Sequence, residues 1–139
     1  MKPQSTTDSV LITPTAAATT ALTARLDCAD ANYASIRVQL GIEANTNSTN
    51  VSVSLLESDD TVVTNFATWH ASATRTVDNA AATVSTTHVD LDGRKRYIRL
   101  VVTPDTTTNG AVTIAATGSL HKTVKLGTSS DYGGEVAWV

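Results

Sequence analysis

Between residues 34 and 44 apolar and polar side chains alternate without a break, with Ile36, Val38, Leu40 and Ile42 on one side and Arg37, Gln39, Gly41 and Glu43 on the other. A period of two puts each set on one face of an extended strand, one face towards a core and the other towards water or a partner. The same alternation recurs in Leu22, Ala24 and Leu26, and again in Val51, Val53 and Leu55. It returns in Ile98, Leu100 and Val102, opposed by Tyr97, Arg99 and Val101, and in Val112, Ile114, Ala116, Gly118 and Leu120. Residues 9–13, stopped by Pro14, 61–69 and 83–91 complete the predicted strands.

Turn-forming clusters separate these segments: DCADANYA at 27–34, NTNSTN at 45–50, SDD at 58–60, DG at 92–93 and DTTTNG at 105–110. NTNSTN predicts a hairpin from 34–44 into 51–57, and Asp92-Gly93 predicts another from 83–91 into 94–103. Residues 70–82 are rich in Ala, Thr and Asn and read as a long loop holding at most one short strand. About eight short antiparallel strands at intervals of roughly 8–14 residues, with no amphipathic helix, predict an all-β protein. The expected architecture is a jelly-roll-like β-sandwich over residues 9–121, with an N-terminal arm at 1–8 and a C-terminal tail at 122–139.

Composition narrows this picture. The 139 residues suffice for one domain with one core, and the apolar share of 41% leans on Ala and Val with only 4% aromatics, so the core should be thin, as between two sheets. Thr, the commonest residue, packs on a pleated surface while tolerating water. A net charge of -3 gives no general attraction to polyanions, so no nucleic-acid partner is expected. No apolar run reaches the length of a membrane span or signal peptide, which predicts no membrane partner and synthesis in the cytoplasm. Cys28 is the sole cysteine, so no intrachain disulfide can form. Its acidic neighbours Asp27 and Asp30 oppose a thiolate, and a buried thiol is the expected state.

No reaction chemistry emerges from the motifs. His70, His88 and His121 fall in three segments without metal-ligand spacing and read as separate surface or loop residues, so no metal and no cofactor is expected. Asp90, Asp92, Asp59 and Asp60 lack the spacing of a calcium loop and read as solvated turn acids. No G-x-S-x-G elbow or phosphate-binding Gly-rich loop occurs, and a non-enzymatic role is the expectation.

What remains is a concentration of charge. Arg94, Lys95, Arg96 and Arg99 crowd the start of the strand in GRKRYIRLVVTP at 93–104. They form either a solvated strand start or an interface, with Glu57, Asp59 and Asp60 as natural partners within the chain or across subunits. Trp138 lies close to the end of the sequence, where it anchors an interface or belongs to a tail folded over a sheet edge.

The succession ANYASIRVQLG at 31–41, LLESDD at 55–60, DGRKRYIRLVVTP at 92–104 and GAVTIAATGSLHK at 110–122 resembles small virion proteins of tailed bacteriophages. In that family a strand ending in an ESDD-like turn precedes a G-x-K/R-R-Y-[IV]-R-[LV] strand, then a Thr/Gly turn and a final strand. This chain departs from the pattern in TVVTNFATWH after ESDD and in a longer C-terminal tail. The resemblance implies a β-rich capsid decoration or cement protein on the outside of the virion head, bound to the major capsid protein and forming a homotrimer. A phage tail, baseplate or fibre module is the first alternative. The second is a carbohydrate-binding sandwich, for which Tyr33, Tyr97, Tyr132, Phe66, Trp69 and Trp138 are the available aromatics.

Overall fold

Strands adjacent in sequence mostly do not pair with each other; they cross from one sheet to the other. The computed structural model describes residues 5–42, 49–71, 75–77, 83–105, 111–122 and 137–138. Ten strands lie within them: β1 (Ser5–Ala17), β2 (Leu22–Asp27), β3 (Tyr33–Ile42), β4 (Thr49–Ser58), β5 (Ala67–Ala71), β6 (Arg75–Val77), β7 (Thr83–Asp90), β8 (Tyr97–Asp105), β9 (Val112–Lys122) and β10 (Ala137–Trp138). One sheet, here called the first, has the order β1-β9-β3-β7-β10; the second runs β2-β8-β4-β5, with β6 also paired to β4.

The order follows a simple rule. With β6 and β10 set aside, β1 pairs with β9, β2 with β8, β3 with β7 and β4 with β5, all antiparallel. The two halves of the chain therefore form one long antiparallel ribbon, rolled so that β3 also meets β9 and β4 also meets β8. That is a jelly-roll sandwich, as the strand pattern predicts. β10 pairs with β7 in parallel, the exception to the antiparallel expectation.

Burial follows the alternation read from the sequence. Ile36, Val38 and Leu40 of β3, Val51, Val53 and Leu55 of β4, Ile98, Leu100 and Val102 of β8, and Val112, Ile114 and Ala116 of β9 are all buried between the sheets. Removing one such aliphatic side chain, as in Leu100→Ala, would cost about 2–5 kcal/mol through lost transfer energy and the cavity left behind.

Four expectations about local structure need correction. The segments around 45–50 and 92–93 do not make hairpins, because β3 and β4 belong to different sheets, as do β7 and β8. Gly93 does take the positive φ of a turn, +72°, and the Arg94 amide closes it on the Leu91 carbonyl at 3.1 Å, but the chain leaves this turn for the other sheet. Pro14 does not stop the first strand: β1 is an edge, where proline's missing N–H removes no ladder bond, and shifts of register around Ile12 absorb its geometry.

Residues 61–66 are not strand. The Asp60 carboxylate accepts from the Val62 amide at 2.8 Å and from Asn65 Nδ2 at 2.7 Å, which holds a short 3-10 turn at Val63–Asn65 ahead of β5. The segment read as an N-terminal arm is partly strand as well. Ser5 to Asp8 pair with Lys122 to Ser119, and Ser119 Oγ donates to Asp8 Oδ1 at 2.6 Å. Residues 1–4 and most of the tail, 123–136, lie outside the described residues.

Candidate functional site

The predicted basic cluster sits where the chain enters β8, beside the end of β2 and the turn after β4. Asp27 ends β2, and its carboxylate accepts two hydrogen bonds from Arg96, Nε to Oδ1 at 2.9 Å and Nη2 to Oδ2 at 2.8 Å. The fork-to-fork geometry, together with the Ala29 amide on Oδ1, holds the Asp27 carboxyl at about 2, well below its ordinary range. Arg96 also lies over the Tyr97 ring, 4.9 Å from its centroid.

The other members of the cluster have partners within the chain. Arg94 Nη1 is 3.7 Å from Glu57 Oε1, and its guanidinium lies 5.0 Å from the ring centroid of Trp69, which packs against the core. Lys95 Nζ donates to Asp59 Oδ2 at 2.9 Å and its backbone amide donates to Glu57 Oε2. The bond to Asp59 is the main reason the Lys95 ammonium holds its proton more tightly than usual. Asp60 is drawn into its own loop, its carboxyl lowered by the Asn65 side chain, the Val62 amide and Ser58.

The structure therefore gathers Arg94, Lys95 and Arg96 with Glu57, Asp59 and Asp27 into an intrachain clasp joining β2, β4 and β8. Asp27 carries the bidentate pair, although the sequence reading named only Glu57, Asp59 and Asp60 as acids. Its position next to Cys28 at a strand end gave no spacing signal that would connect it to Arg96, 69 residues away.

Arg99 belongs to another environment. It lies on the outer face of β8, directly opposite Arg25 of β2 in the register and opposite Leu56 of β4. Arg25 is exposed, Arg99 half-buried. Trp138 is placed by its backbone, which runs parallel to β7 with Trp138 opposite His88. That placement matches the expectation of a tail folded over a sheet edge.

A second cluster went unread in the sequence. The histidines are strand residues, each partly exposed: His70 is in β5, His88 in β7 and His121 in β9, so none of the three is in a loop. On the outer face of the first sheet Ser35 Oγ lies 2.8 Å from His88 Nδ1 and 3.5 Å from His121 Nε2, while Thr6 Oγ1 lies 3.4 Å from His121 Nδ1. The hydroxyl has one hydrogen to donate and lone pairs to accept with, so Ser35 can donate to the bare nitrogen of one ring while accepting an N–H from the other. Burial first, and then the neighbouring His121, lower the pKa of His88. Period-two alternation could place Ser35 outward, but only the pairing of β3 with both β7 and β9 brings the two rings to it.

Among the described residues no group of three or more His, Cys, Asp or Glu side chains is arranged to hold a metal ion. Cys28 is buried; burial, followed by the charge of Asp27, pushes its thiol up to about 12, against the opposing effect of the Ile98 amide. Within the described residues no helix is long and apolar enough to cross a membrane. Comparison of the chain with known protein families, with curated proteins and with solved structures finds no match.

Proposed function

We propose that this chain is a structural virion protein, a decoration or cement protein that binds the outer surface of a tailed-phage head, as a homotrimer on the major capsid protein, and stabilises the shell. One observation carries the reading beyond the sequence resemblance. The first and last described strands, β1 and β10, form the two opposite edges of the same sheet. A cement protein has to link neighbours, and a sheet edge offers backbone N–H and C=O groups that can add a neighbour's strand. Between these edges lies a rigid body with apolar residues inside and Thr, Ser and charged residues outside.

The sugar-binding alternative gains no support from the described aromatics. Tyr33 is buried, Trp69 lies under Arg94, and Tyr97 lies between two arginines, so these three form no exposed ladder. The jelly roll itself does not decide among virion positions, since one fold serves many roles.

The deciding measurement is the number of copies of this chain in purified phage particles, by quantitative mass spectrometry against the major shell protein. A number comparable with the shell protein is expected. A handful of copies would move the chain to the tail or baseplate, and absence from the particle would overturn the virion reading.

A further inference from the structure

The like-charged pair Arg25 and Arg99 has no counterpart in the clasp beside it. The two residues are directly opposite on β2 and β8, on the outer face of the second sheet. Like charges in that position oppose strand pairing. Their same-face neighbours are the uncharged Thr23, Val101, Ser54 and Leu56 on one side, and on the other Tyr97 and Asp27, whose carboxylate is bound by Arg96. Among the described residues neither arginine makes an ion pair. Arg25 has a long hydrogen bond from Nη1 to the Thr61 carbonyl, 3.5 Å, the Tyr97 ring at 5.6 Å from its centroid, and a through-space attraction to Asp27.

The nearby acids relieve this repulsion only in part: Asp27 senses the charge of Arg25 but makes its hydrogen bonds to Arg96. Asp27 is held by Arg96, Glu57 by Arg94 and the Lys95 amide, and Asp59 by Lys95. The result is two arginines facing each other on the edge strand β2 and its neighbour β8, with the bound carboxylates at the strand ends.

We infer that the outer face of the second sheet is a protein-docking surface on which Arg25 and Arg99 together receive an acidic side chain, Asp or Glu, of the partner. A guanidinium presents its donors in a planar fork that matches a carboxylate, and one anion placed between two such forks turns a repulsive pair into an attractive triad. A single carboxylate fits this arrangement better than a polyanion. The marginal acids and the net charge of -3 repel a nucleic acid while leaving room for one acidic side chain. Identifying the partner as the major shell protein rests on the proposed virion function; the carboxylate chemistry does not.

The test uses purified particles stripped of this chain, with rebinding of the full-length protein measured over a range of salt concentrations. The variant Arg25→Gln/Arg99→Gln should bind roughly tenfold or more weakly and lose part of the salt dependence. Its melting temperature should stay level or rise, because the repulsion within the pair is gone. Arg99→Lys, which keeps the charge and loses the fork, should fall between. Arg25→Gln alone, at an exposed position, tests the same point without the half-buried residue.

Wild-type protein that rebinds, with variants that rebind equally well, would overturn the inference and leave the virion function standing. Wild-type protein that does not rebind would count against the virion function itself, and the inferred shell partner would fall with it. Binding of a duplex DNA fragment that disappears in the double variant would overturn the carboxylate assignment.

Discussion

Asp27 and Arg96 lock the end of β2 to the approach of β8 through two parallel hydrogen bonds of 2.9 and 2.8 Å, although 69 residues separate them in the chain. The Cys28 amide donates to the Arg96 carbonyl at 2.8 Å in the same corner, so side chains and backbone fix one geometry. The clasp closes the second sheet at the end where the chain crosses between layers.

This pair should be visible in the acid limb of stability. Asp27 titrates at about 2 when folded, against roughly 3.9 for a free Asp. Because the folded value is depressed, the unfolded chain binds more protons between the two. The contribution is therefore complete above about pH 4 and disappears as the pH falls towards 2. Both side chains are about half exposed, so solvent screening keeps the loss on breaking the pair small at neutral pH. Urea unfolding of Asp27→Asn should show that loss at neutral pH and a flatter curve below about pH 4. Parallel curves for wild type and variant would remove Asp27 from the acid dependence.

What could be read in the sequence, and what could not, divides along one physical line. A strand's inward face depends on its own alternation, so Ile36, Val38, Leu40, Ile98, Leu100 and Val102 were legible from local pattern. Which strands pair depends on how the chain rolls up. Local turn chemistry at 45–50 and 92–93 suggested hairpins that the crossing between sheets does not make. The candidate site divides in the same way. The charges of Arg94, Lys95 and Arg96 and their acidic partners Glu57 and Asp59 could be read in the sequence, but the link to Asp27, and the meeting of His88 with His121 around Ser35, follow from non-local pairing.

Gly118 shows how closely the two layers approach. A side chain there would point between the sheets, and its Cβ would lie 3.0 Å from Leu11 Cδ1 and 3.2 Å from Leu26 Cδ1. Both contacts are with the ends of flexible side chains, so Gly118→Ala should be tolerated at a modest cost. Gly118→Val brings two more carbons and should destabilise by about 1–3 kcal/mol through overpacking. Shortening the nearer neighbour should restore part of the loss: by thermal unfolding, Leu11→Ala/Gly118→Val should be less destabilised than the sum of the single variants. Strict additivity would mean that the clash is not with Leu11.

His88 should make the outer face of the first sheet respond to mild acid. Its pKa lies below the ordinary value of about 6.5, because half-burial disfavours the charged ring and His121 stands on the other side of Ser35. In the unfolded chain His88 takes up its proton first as the pH falls. Its contribution to stability is therefore full above about pH 6.5 and is lost as the pH drops through the folded value. NMR titration of the His88 ring should give a midpoint below 6.5, and His121→Gln should move it upward by removing the neighbouring charge while leaving the effect of burial. Burial is the larger cause, so the midpoint in His121→Gln should still fall short of the free value. A midpoint unchanged by that substitution would mean that the two rings do not sense each other across Ser35.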